Sequence, residues 1–215
     1  DLCRLGALWE IGAGVGSVAA SLQSDSFDIV AVEPIVEGAR SCISKGLPTL
    51  CATLDQLKLP PNSIEAIGLF DVLEHLAEPE HLLAECRRVI APGGFVILTV
   101  PAHQFLWSHE DTASGHFRRY SLSSISSLLN LSGLTVVSAS HFFSFLVFPG
   151  LIQRKLRPKS KTSTVEQLDK QVIRSLRPPR IFETLLNSLG AIEYRLLKRF
   201  PLPFGTSIIV VASIP

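Results

Sequence analysis

Leu8-Trp9-Glu10-Ile11-Gly12-Ala13-Gly14-Val15-Gly16-Ser17 is the stretch from which the rest of the chain is read. An apolar run carrying one acid ends in a loop with glycine at every second position. Helix-compatible residues follow, Val18-Ala19-Ala20-Ser21-Leu22. The pattern predicts strand, tight turn and helix. Glycine lets the backbone turn sharply and approach a ligand closely, because no Cβ stands in the way. The first amides of the helix are free to meet polar ligand groups, so a nucleotide-like cofactor is the natural occupant.

Outward from that loop, apolar runs of strand length alternate with helical spacing. Strands are expected at 7–11, 27–32, 50–52, 64–70, 95–100, 134–141 and 205–212, the third being weak. Helices are expected after the glycine loop to about residue 22, then at 36–44, 79–89 and 121–131, with Gly46 and Gly133 as stops. Pro60-Pro61-Asn62-Ser63 and Ala91-Pro92-Gly93-Gly94 read as turns. The run 95–100 is apolar throughout, as in strands covered on both faces. Strands alternating with helices predict a parallel sheet in an α/β fold.

The chain has 215 residues, of which 47% are hydrophobic and 18% charged. That fits one domain with a large core and excludes disorder. About sixty residues separate the sixth and seventh strands, far too many for an ordinary connection. They hold the basic run Arg154-Lys155-Leu156-Arg157-Pro158-Lys159-Ser160-Lys161 and helical patterns at 165–175 and 181–200. The expected organisation is an α/β core at 1–142, a basic helical insertion or cap at 143–204, and the last core strand at 205–215. Residues 1–149 carry a balance of −7 and residues 150–215 one of +8, so the C-terminal part meets an anionic surface or the two parts attract each other. Cys3, Cys42, Cys51 and Cys86 form no metal-type pair and sit among apolar or small residues, which predicts reduced thiols and a cytoplasmic protein. No apolar stretch is long enough to span a bilayer. The chain begins at Asp1, almost on the first strand, which leaves open a leader or helix upstream.

The dinucleotide fingerprint is G-x-G-x-x-G with an acid about twenty residues on. Gly12 and Gly14 fit, but Ser17 stands at the third position and the extra glycine comes one residue early, at Gly16. Glu33 follows Gly14 by nineteen residues, where an acid can accept both ribose hydroxyls. Glu10 separates the candidates. An acid at the end of the first strand repels a pyrophosphate and suits a ligand carrying an amine or a sulfonium. This shifts the balance from a nicotinamide or flavin dinucleotide to S-adenosylmethionine.

Glu10-Ile11-Gly12-Ala13-Gly14-Val15-Gly16 resembles motif I of the class I S-adenosylmethionine-dependent methyltransferases. Asp71-Val72-Leu73-Glu74-His75-Leu76, Glu85-Cys86-Arg87-Arg88-Val89-Ile90 and Pro92-Gly93-Gly94 resemble the D-V-L-E-H and E-x-x-R-V-L-x-P-G-G run of the subgroup that includes quinone-biosynthesis and many small-molecule enzymes. The resemblance covers residues 7–140. It implies a Rossmann-like fold with a seven-stranded, mostly parallel sheet of order 3-2-1-4-5-7-6, the last strand antiparallel. It also implies a site. Glu10 with the backbone of Gly12, Ala13, Gly14 and Gly16 holds the methionine end of the cofactor. Glu33 binds the ribose, Pro34 and Ile35 flank the adenine, Thr53 and Leu54 lie by its edge, and Phe70 and Asp71 line the reacting end. The family usually has Asp where Thr53 stands, and Ile64-Glu65 replaces Phe-Asp at the entry to strand four.

Methyl transfer from a sulfonium is an in-line displacement. It holds acceptor and methyl together, sometimes with a base for the acceptor's proton, and requires no metal. No metal-ligand spacing is present. The acceptor's groups are expected after strands four and five. His75 is one candidate, the alternative being that Glu74-His75 caps a helix and shapes the loop. Trp107-Ser108-His109-Glu110-Asp111 and Gly115-His116-Phe117-Arg118-Arg119-Tyr120 resemble an LWS…D…GH-x-RRY pattern in a subset of bacterial methyltransferases of mostly unassigned substrate. His116, Arg119 and Tyr120 are candidate catalytic residues; alternatively Arg118 and Arg119 pair with Glu110 and Asp111 in a structural loop.

A small-molecule or lipid-like acceptor is expected. The basic insertion and the aromatic run 142–148 suggest an anionic or lipid-like one, or a peripheral membrane contact; the favoured alternative is a cap packed on the sheet, since 142–148 is too uniformly apolar for a surface helix. Nucleic acid is not expected, since the core is acidic and carries no motif for it. An NAD(P)-dependent oxidoreductase and a non-catalytic S-adenosylmethionine-binding module are the alternative functions.

Overall fold

The computed structural model describes residues 6–24, 28–147 and 180–214. Strands β1 (Leu8–Ile11), β2 (Ile29–Val32), β3 (Thr49–Leu50), β4 (Ile64–Phe70), β5 (Ile90–Pro101), β6 (Thr135–Phe142) and β7 (Ser207–Ser213) form one sheet. Its order is β3-β2-β1-β4-β5-β7-β6. Neighbours from β3 to β5 run parallel, and β7 runs antiparallel to both β5 and β6. The carboxyl ends of β1 to β6 therefore share one edge, where ligands of open α/β sheets bind.

The helices are α1 (Ser17–Ser24), α2 (Val36–Ser44), α3 (Pro79–Val89), α4 (His109–Ala113), α5 (Leu122–Leu131) and α6 (Arg180–Leu197). Pro79 stands in the first turn of α3, where its missing N–H costs nothing. Ser121 caps α5 through the Ser124 amide. Leu83, Cys86 and Val89 of α3 and Ile125 and Leu129 of α5 are fully buried against β4, β5 and β7. Ala19 of α1 and Cys42 of α2 join Leu8, Ile29 and Ala31 in a second cluster on the β1–β2 half.

Three local expectations are revised. The third strand is Thr49–Leu50, not 50–52, because only Ala31 and Val32 offer it partners. Pro92-Gly93-Gly94 lies inside β5: the register moves from Ile64–Ile90 to Ala66–Phe95, so the glycines are a bulge rather than a turn before the strand. Gly94 is required there, since a Cβ would lie 2.6 Å from the Glu65 carbonyl oxygen. The same strand alternates, with Val96, Leu98 and Val100 buried and Phe95, Ile97 and Thr99 only half-buried.

Helix α6 matches the pattern at 181–200. Its Glu193 carboxylate accepts the Phe143 and Ser144 amides at 2.5 and 2.7 Å, tying the helix to the end of β6. The helix expected at 165–175 and the basic run 154–161 lie outside the described residues. Among the described residues, no helix is long and apolar enough to cross a membrane.

Candidate active site

The loop after β1 bends through three left-handed glycines: Gly12 at φ +74°, Gly14 at +56° and Gly16 at +74°. A Cβ on Gly12 would lie 2.9 Å from Val72 Cγ2. One on Gly16 would lie 2.8 Å from Cys42 Sγ and 2.9 Å from Leu47 Cδ1. Gly14 has nothing within 4 Å of that position. Gly12 and Gly16 are thus packing requirements, while Gly14 keeps an open face. Ser41 Oγ donates to the Val15 carbonyl at 3.0 Å, and Lys45 Nζ donates to the same oxygen.

Gly16→Ala combines left-handed strain with clashes against the buried Cys42 and Leu47 side chains, so it is expected to cost about 3 kcal/mol. A thermal melt would show this as a fall of roughly 6–12 °C. A melting temperature within a degree or two of the parent would contradict this reading of the turn.

Two acids frame the loop. Glu10 is 2% exposed and, among the described residues, its Oε2 has no hydrogen-bond partner. Burial pushes its carboxyl up to about 7, against a smaller lowering by the Ala19 amide of α1. Glu33, buried at the end of β2, accepts the Gly14 amide at 2.7 Å on Oε2 and the Ile35 amide at 2.8 Å on Oε1. One carboxylate thus fixes the loop to the β2 tip while each oxygen keeps a second lone pair.

Gly38, on the first turn of α2, completes the contact, and sequence reading missed it. A Cβ there would lie 2.7 Å from the Gly14 carbonyl oxygen and 2.8 Å from Glu33 Cγ. The available signal was a glycine inside a helical pattern, which costs about 1 kcal/mol relative to alanine and so calls for a packing reason.

Pro34 lies beside the end of β3, its carbonyl oxygen 3.9 Å from Cys51 Sγ. Thr53, half-buried, gives its amide to Gln56 Oε1 at 3.0 Å, and Leu54 is fully buried. At the β4 tip Phe70 is half-buried and Asp71 takes a left-handed φ of +54°. Asp71 is held to the end of β5: its amide donates to the Thr99 carbonyl at 3.0 Å, and Thr99 Oγ1 donates to its Oδ1 at 3.1 Å. A non-glycine residue in that region is strained by about 1–3 kcal/mol, a feature that concentrates at functional sites.

Past Asp71, the chain gathers a polar cluster. Glu74 is 1% exposed, its Oε2 has no partner among the described residues, and burial pushes its carboxyl up to about 8. The His75 and His116 rings meet edge to face with centroids 4.6 Å apart. Burial and then His116 lower the His75 pKa, while a hydrogen bond to the Ser114 backbone opposes this. His116 Nδ1 pairs with Asp111 Oδ1 at 2.9 Å.

Asp111 is the hub of this loop. It is fully buried and receives Arg119 in two-pronged fashion, Nε to Oδ1 at 2.8 Å and Nη2 to Oδ2 at 3.0 Å. Its Oδ2 also accepts the Ser108 amide at 2.7 Å and the Ser108 hydroxyl at 3.1 Å. Burial would raise its pKa, but Arg119, the Ser108 amide and His116 together hold it below the ordinary carboxylate value. Arg119 Nη1 donates to the Ala102 carbonyl at 3.2 Å. Tyr120 is 4% exposed, donates to the Leu73 carbonyl at 3.2 Å, and is pushed up to about 12 by burial. The structure therefore brings His75 and His116 together with Glu74, and engages Arg119 and Tyr120 in holding the loop. Arg119 pairs with Asp111; Arg118 instead donates to the Leu76 and Ala77 carbonyls at 3.3 and 2.5 Å.

A family model described as a methyltransferase domain matches residues 5–139. The chain belongs to this methyltransferase family. An uncharacterized methyltransferase of Mycobacterium bovis is 30% identical over 112 residues, covering 51% of this chain and 42% of that protein. The chain spans between about a third and about half the length of the curated relatives it matches. A probable S-adenosylmethionine-dependent methyltransferase of Mycolicibacterium smegmatis is 31% identical over 85 residues, 39% of this chain and 33% of that protein. Among solved structures, a SAM-dependent methyltransferase from Archaeoglobus fulgidus shares the fold with a TM-score of 0.64 at 15% identity, covering 98% of this chain and 86% of that one.

The methyltransferase domain fits S-adenosylmethionine on its own residues. An orphaned buried carboxylate oxygen at Glu10 suits an ammonium or sulfonium, and the Gly14 face leaves room for close backbone approach.

Proposed function

We propose that this methyltransferase domain transfers a methyl group from S-adenosylmethionine to a small-molecule or lipid-like acceptor. The observation that carries this is the buried Glu10 carboxylate beside the left-handed glycine loop, whose Oε2 has no partner among the described residues. A pyrophosphate would meet repulsion there, which disfavours a nicotinamide-dependent oxidoreductase. The donor supplies an electrophilic methyl on a sulfonium sulfur.

The chain's own residues bind and orient. Glu10 and the Gly12, Ala13, Gly14 and Gly16 backbone hold the methionine end, and the free lone pairs of Glu33 accept the ribose hydroxyls. Pro34, Thr53 and Leu54 lie along the adenine, and Phe70 and Asp71 bound the reacting end. His75 and His116 face the acceptor. Arg119 and Tyr120 serve as positioning residues, since the guanidinium is spent on Asp111 and Ala102 and the phenol on Leu73.

A cavity of about 270 Å³ supports an acceptor with an apolar part. It is lined by Phe143, Phe145, Leu146, Leu186, Asn187 and Gly190, between the end of β6 and α6. The carboxyl end of β6 shares the sheet edge with the donor loop. The expected membrane contact at 154–161 falls on residues outside those described.

Incubation with labelled S-adenosylmethionine and fractionated lipid and metabolite extracts tests the function. A methylated product in one fraction, lost in His116→Ala, is expected. Donor binding with no product in any fraction would favour a non-catalytic binding module. Glu33→Ala is expected to weaken donor affinity by about 10- to 100-fold, because each hydrogen bond to a charged group contributes about 1.5–3 kcal/mol. Calorimetry checks this; unchanged affinity would remove Glu33 from the ribose site.

A further inference from the structure

We propose that Glu74, His75 and His116 form a binding site for one divalent transition-metal ion of the zinc class. One potential ligand atom from each lies within 4.8 Å of the others. Two imidazoles and one carboxylate are a donor set that such ions accept with coordination positions left open. Bonds of about 2.1 Å place neighbouring tetrahedral donors about 3.4 Å apart, so the side chains draw inward when the ion binds.

The surroundings of the three groups argue for a ligating role. A metal-binding imidazole characteristically has its other nitrogen fixed by a carboxylate or a backbone carbonyl. His116 has Nδ1 on the Asp111 carboxylate at 2.9 Å, leaving Nε2 as donor. The His75 ring packs edge to face on that of His116, with centroids 4.6 Å apart, which orients it in turn. Asp111 is itself locked by Arg119 and Ser108, so this outer shell is rigid. The third group, Glu74, is 1% exposed and its Oε2 has no partner among the described residues. An unpaired buried carboxylate oxygen next to two oriented imidazoles is costly in a plain structural loop and useful under a cation.

The cluster also sits where an ion would matter. Val72, two residues before Glu74, is the side chain that packs under Gly12 of the donor loop. An ion held there would polarise a hydroxyl or carboxyl of the acceptor near the reacting end. That role rests on the methyl-transfer reading; the ion site itself does not. Sequence spacing gave no sign of it, since His116 lies forty-one residues from His75.

Zn²⁺ titrated by calorimetry into the untagged, chelator-stripped chain tests the site, with Co²⁺ as a spectroscopic probe. One Zn²⁺ per chain is expected, together with visible Co²⁺ bands that Zn²⁺ abolishes and an X-ray absorption spectrum showing two imidazole nitrogens. Glu74→Gln and His75→Ala should each weaken binding at least tenfold, and Asp111→Asn about 10- to 100-fold through the outer shell. His81→Ala, at the exposed His81–Glu78 pair, should change nothing. Absence of stoichiometric binding by the parent chain, or binding indifferent to Glu74→Gln and His75→Ala, would overturn the proposal. The Co²⁺ and absorption measurements use the parent chain, so a variant that fails to fold does not decide the matter. S-adenosylmethionine is titrated in the same preparation. Donor binding without metal binding overturns only the ion site, and metal binding without donor binding overturns only the methyl-transfer reading.

Discussion

Glu10→Gln is expected to weaken S-adenosylmethionine binding at least a hundredfold, the larger of the two strongest effects anticipated for this chain. The side chain is 2% exposed and one oxygen finds no partner among the described residues, so its charge is poorly compensated until a cation arrives. Removing one member of a buried charge pair costs about 3–5 kcal/mol, because the other is left unpaired in a poor solvent for charge. The isosteric amide keeps the volume and abolishes the charge. The unliganded chain should be as stable as the parent or more so, since a desolvated acid has been removed. Loss of both binding and fold would place Glu10 among structural residues instead.

Acidity gives the same prediction an independent axis. The Glu10 carboxyl sits at about 7 rather than the ordinary 4.5. A cationic ligand binds the ionised form, so affinity should rise as pH climbs through about 7 and fall below it by up to about tenfold per pH unit. The sign for unliganded stability is opposite. The folded state holds the Glu10 proton more tightly than the unfolded state, so its contribution is fully present below 4.5 and lost as pH rises toward 7. In Glu10→Gln both dependences should flatten relative to the parent.

Asp111→Ala should destabilise the fold by about 3–5 kcal/mol, which for a chain of this size lowers the melting temperature by roughly 6–20 °C. Few side chains here are asked to do as much. One carboxylate carries the Arg119 fork, the Ser108 amide and hydroxyl, and His116 Nδ1. Its loss strands a guanidinium that is 16% exposed and frees the His116 ring. Arg119→Lys should recover only part of the stability, because a lysine ammonium lacks the planar two-pronged geometry. A melt of Asp111→Ala within 2 °C of the parent would show that the loop is held by other contacts.

The sheet was legible because its causes are local. Apolar runs of strand length, proline and glycine at their ends, and helical spacing between them lead to seven strands, and the methyltransferase resemblance gave their order. The glycine loop was legible for the same reason: Gly12 and Gly16 show their left-handed geometry as spacing along the chain. The bulge at Pro92-Gly93-Gly94 was not, since a turn and a bulge share a composition and differ only in what the partner strand does. Gly38 was passed over because its reason is a neighbour in space, the Gly14 carbonyl.

The acceptor side was legible as composition and not as roles. His, Arg, Tyr and Trp crowded into one loop signal something other than a solvated connector. Their division of labour follows from burial. Asp111 is interior, so it captures Arg119; Tyr120 is interior, so its phenol must find the Leu73 carbonyl. Glu74 looked like a cap residue, and only its burial beside His75 and His116 marks it as an acid awaiting a partner.

Calorimetric titration of the chain with S-adenosylmethionine and, separately, with NAD distinguishes the two candidate occupants of the glycine loop. S-adenosylmethionine should bind one to one, with affinity that strengthens through about pH 7 and collapses in Glu10→Gln, while NAD gives no heat of binding. Binding of NAD with no binding of S-adenosylmethionine would make the loop a dinucleotide site and overturn the methyl-donor assignment.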